Sequence, residues 1–347
     1  MDKVYGIMLI GCGHIGGDHM DDIYWRDNIR VVAVVDTDEA QAKLFARKYS
    51  AEHYGTDYHD FLDLPEIDIV IIATYVNTHL PILKDCIAAK KHILCEKPIA
   101  TTKAEGKEFY KAVKAAEAEG LHILIAYILR HNDTYNKMRE LIWNGEIGEL
   151  RVARMSQNHH ALNWPRYKRL LHDCSPILDC GVHYMDIIQW FAGSNVVEVM
   201  GEGVTVDEDL DPGMVNYGMI IMRLQSGAMA YYEAGWGQTF SSANVKEFIG
   251  TKGRIRLTMN AQRATDTEMG DCIELFRLET GQTEIINVKS QYKPMYKQLC
   301  ALIDMIENRP THAPDIDQAY SAFKVAIAAD RAVRESAFVY VEDDQDY

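Results

Sequence analysis

Between residues 4 and 127 the hydrophobic pattern switches repeatedly between strand-like and helical spacing. Residues 4–10 are a short apolar run that ends at a glycine-rich turn, and a helical stretch follows to about residue 26. Residues 30–35 are β-branched and end at Asp36, and 39–49 sets Ala42, Phe45 and Ala46 on one helical face. Residues 69–73 are almost wholly apolar, as a strand covered on both faces must be. A helix over 78–90, a strand over 92–95, a helix over 102–119 and a strand over 121–127 continue the series. Such alternation predicts an α/β unit with a parallel, doubly wound sheet.

An amphipathic helix over 133–143, with Tyr135, Met138, Leu141 and Ile142 at helical spacing, ends that rhythm. After Gly148 strand follows strand, at 150–156, 196–199, 215–224, 228–236, 245–249, 254–257, 272–278 and 284–288. Ser226-Gly227 is a hairpin turn between two of them. Helices over 175–191, 296–307 and 319–335 remain to cover one face of the sheet. The pattern therefore predicts a doubly wound domain over 1–128 and an α+β domain over 129–347, the latter with a large, open, mostly antiparallel sheet. Its uncovered apolar face predicts a homodimer or homotetramer.

Composition narrows the function classes. A chain of 347 residues exceeds the size at which one core usually splits, in keeping with two domains. A net charge of −15 would repel nucleic-acid phosphates. No apolar run approaches the roughly 18–20 residues that span a bilayer. A strand beginning near Val4 leaves no room for a signal peptide, so a cytoplasmic protein is expected. The seven cysteines, at 12, 86, 95, 174, 180, 272 and 300, form no CxxC pair and read as reduced thiols. Neither His159-His160 nor Cys174 with Cys180 has metal-ligand spacing, so no metal is expected.

Gly11-Cys12-Gly13-His14-Ile15-Gly16 is a GxGxxG that follows a strand and opens a helix, the context of a dinucleotide-binding Rossmann unit. Gly11 allows the tight turn, Gly13 the approach of a pyrophosphate to the backbone, and Gly16 close helix–strand packing. The helix N-terminus offers free N–H groups to phosphates. Asp36, 20 residues past Gly16, ends the second strand, where a carboxylate accepts hydrogen bonds from ribose hydroxyls and repels a 2′-phosphate. Asp38 adds negative charge, so NAD is expected over NADP. The competing reading is a plain glycine turn with Asp36 as a helix cap.

Two further segments carry chemistry. Glu96-Lys97-Pro98 follows the strand over 92–95, at the carboxyl edge where such sheets bind ligands. A lysine there can stabilise a developing alkoxide or carbonyl oxygen. The proline fixes the turn, a cis peptide being one way. The alternative is a surface turn before a helix. In Asp179-Cys180-Gly181-Val182-His183-Tyr184-Met185-Asp186, positions 179, 183 and 186 share one helical face. Carboxylates beside a histidine can orient the ring for proton transfer. Gly181 inside the helix costs about 1 kcal/mol relative to alanine, which implies a close approach to that backbone. A capped helix with a satisfied histidine is the alternative.

Together these segments resemble the Gfo/Idh/MocA oxidoreductases, the glucose–fructose oxidoreductase and inositol dehydrogenase family. GCGHIG, EKP, DCGVHYMD, FIGTKGRIRL and the closing AADRAVRESA carry the likeness over nearly the whole chain. By that resemblance Lys97, Asp179 and His183 fall on catalytic positions. Thr74, Asn77 and His79 fall on a cofactor-contacting loop, and Glu96 on a contact to the nicotinamide ribose. The chain departs from the family at Tyr75, where proline is usual, and at Cys174-Ser175-Pro176, where glycines are usual.

The resulting expectation is NAD-dependent oxidation of a secondary hydroxyl on a sugar or polyol, or the reverse reduction. His183 takes the hydroxyl proton, Lys97 polarises the oxygen and Asp179 holds the histidine or the substrate in register. An NAD-retaining, redox-neutral glycosidase and a non-catalytic NAD sensor are the alternatives. Between 151 and 172, Arg151, Arg154, Arg166, Lys168, Arg169, His159, His160 and His172 occur without an acidic residue. That run reads either as a pocket for an acidic substrate or as a solvated loop. Trp164, Tyr167 and Trp236 are candidates for stacking on a sugar, or core aromatics.

Overall fold

The structure, a computed structural model, describes residues 3–242, 244–259 and 270–341. The chain divides into two compact units, one running to His131 and taking in Lys293–Tyr320, the other comprising Asn132–Tyr292 and the chain from Ser321.

In the first unit, β1 (Tyr5–Ile10) leads into α1 (His14–Ile23), and β2 (Ile29–Val35) into α2 (Glu39–Tyr49). Then come β3 (His53–Gly55), α3 (His59–Leu62), β4 (Ile69–Ile72), α4 (His79–Ala88), β5 (His92–Cys95), α5 (Lys103–Ala118) and β6 (Ile123–Ile125). The strands form one parallel sheet in the order β3-β2-β1-β4-β5-β6. Every residue of β1 and β4 is buried, because helices cover both faces. The order reverses between β1 and β4, so the carboxyl end of β1 is the switch point where such sheets take ligands.

The second unit begins with α6 (Asp133–Trp143), β7 (Leu150–His160), α7 (Trp164–Asp173), α8 (Pro176–Asp179) and α9 (Gly181–Ala192). β8 (Val196–Val204), β9 (Tyr217–Leu224), β10 (Met229–Gly237), β11 (Lys246–Gly250), β12 (Gly253–Thr258), β13 (Asp271–Arg277) and β14 (Gln282–Val288) follow. The chain then returns to the first unit for α10 (Met295–Ile306), and α11 (Ile316–Glu335) leads back to the second, which ends with β15 (Phe338–Tyr340). Nine strands join in the order β14-β13-β12-β11-β7-β10-β9-β8-β15, with only β7 and β10 parallel. One sheet face carries Met155, Ile220, Met222, Tyr232, Phe248, Ile255 and Ile273, all fully buried. Val333 of α11 packs close over Gly201, Gly203 and Gly218, where any side chain would stand within 3.0 Å of it.

Three features depart from the sequence pattern. Lys293–Tyr320 packs with the first unit, so the region past 128 is not one body. There Leu299, Leu302 and Ile303 of α10 join the core of β1 and α1, and Lys293 Nζ lies 2.6 Å from Asp18. The span 164–173 is a helix whose buried residues are only Trp164 and Leu171, too sparse a stripe to reveal it. The span 175–191 is two helices meeting at Cys180, where His183 N–H bonds the Cys180 carbonyl in a tightened turn.

Candidate active site

At the end of β1 the backbone turns at Gly11, whose φ of +100° lies in the region open to glycine. A β-carbon there would stand 2.4 Å from the Ala73 carbonyl oxygen. Gly16 sits against the same turn, its missing β-carbon 2.1 Å from the Gly11 carbonyl oxygen. Gly13 is different, with no heavy atom within 4 Å of where a β-carbon would project. The first turn of α1 closes with Gly17 N–H on the Gly13 carbonyl at 2.9 Å. That leaves the N–H groups of His14, Ile15 and Gly16 outside the helical ladder. Gly13 and His14 are exposed and Ile15 is half-buried. The residues therefore fit a dinucleotide: an open cradle at Gly13, faced by N–H groups and the positive end of a helix.

Asp36 is not a helix cap. Asp38 caps α2, accepting from Ala40 N–H at 2.9 Å. Asp36 instead accepts from Cys12 N–H at 2.7 Å and from Asp38 N–H at 2.9 Å, one to each carboxylate oxygen. A carboxylate has about four acceptor sites, so it ties the glycine loop to β2 and keeps capacity for ligand hydroxyls. Burial and the Asp36 charge push the neighbouring Cys12 thiol up to about 12, which makes it unreactive.

On the other side of the switch point, Thr74 accepts a hydrogen bond from Thr78 Oγ1 at 2.7 Å, and Asn77 is exposed. His79, which the family resemblance sets on a cofactor-contacting loop, is 1% exposed. Its Nδ1 lies 3.0 Å from the Pro98 carbonyl and its Nε2 3.2 Å from that of Thr74. Burial holds its pKa below the usual histidine value. It braces the β4 loop against the Lys97-Pro98 turn and does not present itself to a ligand. The Lys97-Pro98 peptide is cis, and Lys97 is half-buried at the end of β5. Glu96 lies beside it, one carboxylate oxygen 2.9 Å from His19 Nε2.

In the second unit Asp179 ends α8 and His183 lies in the first turn of α9, both half-buried. Asp186, which helical spacing sets on the same face, is 1% exposed, because α9 packs into the core there. The close approach implied at Gly181 is the Tyr232 ring, 3.1 Å from where a β-carbon would stand. Around this junction His159, Tyr167 and Trp236, marked in the sequence, are joined by Gln157 and Tyr232, which the pattern did not single out. Gln157 and His159 of β7 stand opposite Ala234 and Trp236 of β10. Among the described residues, Gln157 Oε1, Tyr232 Oη and Trp236 Nε1 are buried without hydrogen-bond partners. His159 Nδ1 is 3.2 Å from Tyr167 Oη, and the Tyr167 ring meets Trp236 edge-on at 5.6 Å. No local motif marks Gln157 or Tyr232; strand register sets Gln157 beside Ala234 on β10, two residues from Tyr232 and from Trp236.

Of the other substrate candidates, Trp164 packs with Leu171, Cys180, Leu210 and Trp236 and donates its indole N–H to Asp209 at 2.9 Å, as a core aromatic does. Arg166 is exposed on α7. The basic run is not one pocket. Arg151 pairs with Glu149, Arg154 with Glu247 and Lys168 with Asp209. No group of three or more His, Cys, Asp or Glu among the described residues could hold a metal ion. No helix among them is long and apolar enough to cross a membrane.

Comparison with known proteins agrees with this architecture. A family model described as "Oxidoreductase family, NAD-binding Rossmann fold" matches residues 5–123, and one described as "GFO/IDH/MocA C-terminal domain" matches 135–256. The chain belongs to the Gfo/Idh/MocA family. As a member it is an oxidoreductase, a dehydrogenase acting on CH–OH groups. It is 28% identical to the myo-inositol 2-dehydrogenase of Thermotoga maritima, over 83% of this chain and 89% of that one. It is 27% identical to the inositol 2-dehydrogenase of Corynebacterium glutamicum, over 74% of each. The fold matches scyllo-inositol dehydrogenase from Lactobacillus casei with a TM-score of 0.80, at 20% identity over 98% of each chain.

Proposed function

We propose that this Gfo/Idh/MocA protein is an NAD-dependent dehydrogenase that oxidises a secondary hydroxyl of a neutral cyclic polyol of the inositol kind. The observation that carries the substrate class is the set of buried, unmatched polar atoms on Gln157, Tyr232 and Trp236; of these, the Tyr232 ring stands against Gly181 and Trp236 packs with Cys180, inside the Asp179–His183 turn. Leaving such groups unpaired costs about 1–3 kcal/mol each, which a ligand with a hydroxyl on every carbon offsets. The pairing of Arg151, Arg154 and Lys168 with carboxylates favours a neutral substrate over an acidic one. The inositol dehydrogenases among the relatives point the same way.

The nicotinamide supplies the redox chemistry as hydride acceptor. In this reading His183 takes the hydroxyl proton as the carbon–oxygen double bond forms. Asp179 keeps imidazole or substrate in register, and the Lys97 ammonium steadies the charge on oxygen. Asp36 faces the adenosine ribose and disfavours a 2′-phosphate, hence NAD. Trp164 and Arg166 remain support for the substrate wall through α7, and Tyr167 is its aromatic edge.

The remaining sheet face favours self-association. A single row across it reads Phe338, Met200, Ile221, Tyr231, Arg154, Glu247, Arg256, Glu274, Ile285, apolar on one side and alternating in charge on the other. A homodimer or homotetramer in a reducing cytoplasm fits that face and the free thiols. The test is a screen of inositols, sugars and uronates with NAD, followed at the NADH absorbance band. Turnover confined to uronates, or to none of the three classes, refutes the reading.

A further inference from the structure

His19 and Glu96 are 77 positions apart and meet at the carboxyl edge of the first sheet, with His19 Nε2 2.9 Å from Glu96 Oε1. The imidazole is completely buried, and the Glu96 side chain is 12% exposed. The other oxygen, Glu96 Oε2, accepts from Lys97 N–H at 3.3 Å. His19 Nδ1 is buried with no hydrogen-bond partner among the described residues. A proton on Nδ1 would therefore be stranded, so the geometry selects the tautomer that donates Nε2–H to Glu96. One buried nitrogen is left unsatisfied to make this single contact, which a simple packing role does not require.

The location gives the contact its meaning. Glu96 extends β5 and His19 sits on α1, the helix that opens at the glycine loop, while β4 lies between β1 and β5. The carboxylate is therefore drawn across the strand ends toward the loop. With Asp36 on the β2 side of the switch point, a dinucleotide directs its adenosine end that way and its other half over β4 and β5. Glu96 lies beneath that second half, with one acceptor site of each oxygen occupied and the remainder open.

We propose that His19 is a positioning residue for the cofactor: it fixes the Glu96 carboxylate so that its open lone pairs meet the ribose hydroxyls of the non-adenosine half. The inference rests on the dinucleotide reading above. Direct NAD binding to the full-length protein, measured by calorimetry together with Tm, tests it. His19→Leu should weaken NAD about tenfold, the scale of one charge-assisted hydrogen bond, with kcat at saturating NAD nearly unchanged. His19→Gln can place its amide nitrogen where Nε2 stands and should restore most of the affinity. His19→Asn is equally polar but too short to reach Glu96, and should bind like His19→Leu. Adding His19→Leu to Glu96→Gln should weaken binding no further than Glu96→Gln alone. Equal NAD affinity of the Gln and Asn variants, or additive effects with Glu96→Gln, overturns the inference even where His19→Leu proves unstable. Failure of the unmodified chain to bind NAD overturns the dinucleotide reading itself.

Discussion

Two alanine substitutions in one loop should have opposite consequences, and the contrast tests how the glycine motif works. At Gly16 the added methyl lands 2.1 Å from the Gly11 carbonyl oxygen and 3.3 Å from Leu9 Cδ2, so the backbone has to part. Overpacking of that kind costs about 1–3 kcal/mol. At roughly 2–4 °C per kcal/mol for a domain of this size, Tm should fall by about 2–12 °C. At Gly13 the methyl meets nothing within 4 Å. The backbone there, at φ −82° and ψ −164°, is open to alanine. Gly13→Ala should leave Tm unchanged or raise it slightly, since alanine lowers the entropy of the unfolded chain by the equivalent of about 0.4–1 kcal/mol. The cofactor, however, needs that space. A tenfold loss of affinity cuts the stabilisation from NAD at one hundred times its original Kd from about 2.7 to about 1.4 kcal/mol, and the thermal shift should halve. Thermal unfolding with and without NAD reads both effects. A Gly13→Ala protein that keeps the full shift would refute the assignment of Gly13 to the pyrophosphate.

Other substitutions probe the remaining parts. Lys97→Ala and His183→Ala should each cut kcat by about 10²-fold or more while NAD binding measured by calorimetry stays intact; near-normal turnover in either removes that residue from the chemistry. Asp36→Ala strands the Cys12 N–H and should lower stability by about 1–3 kcal/mol while narrowing the preference for NAD over NADP, seen as the ratio of kcat/KM values. His131, 8% exposed, has its pKa pushed down to about 4 by burial, then by Arg130 and His312. Below pH 6.5 the unfolded chain takes up a proton that the folded one refuses, so stability should drop by up to about 3 kcal/mol as pH falls toward 4. His131→Gln should flatten that part of the Tm–pH curve, and parallel curves for both proteins would contradict the account.

Much of the first unit could be read from the chain because its determinants are local. Residues 39–49 and 92–95 are a helix and a strand as expected, since each shows an uninterrupted period and clear ends. The three-residue β3 and β15 are not legible in the sequence, because so short a run carries no period. The helix over 164–173 leaves little trace in the pattern because its polar and basic residues outnumber its buried ones. Glu247 and Asp209 pair with the basic run over 151–172 from distant segments, and Glu149 pairs with it from just before its start. Asp209, 45 residues on, accepts the Trp164 indole N–H, a pairing that no local pattern marks.

By itself, then, the chain determined the two sheet architectures and the glycine turn between β1 and α1. Those follow from period, turn chemistry and motif spacing, all of which act between near neighbours. Tertiary structure alone decided which polar groups lack partners and which charges are matched, since both depend on segments that meet after folding. It turned Asp36 into a tie for the loop, His79 into a brace and Asp186 into a core residue. It also brought His19 to Glu96 across 77 residues, because burial and hydrogen bonding are settled by strand order and helix packing rather than by separation along the chain.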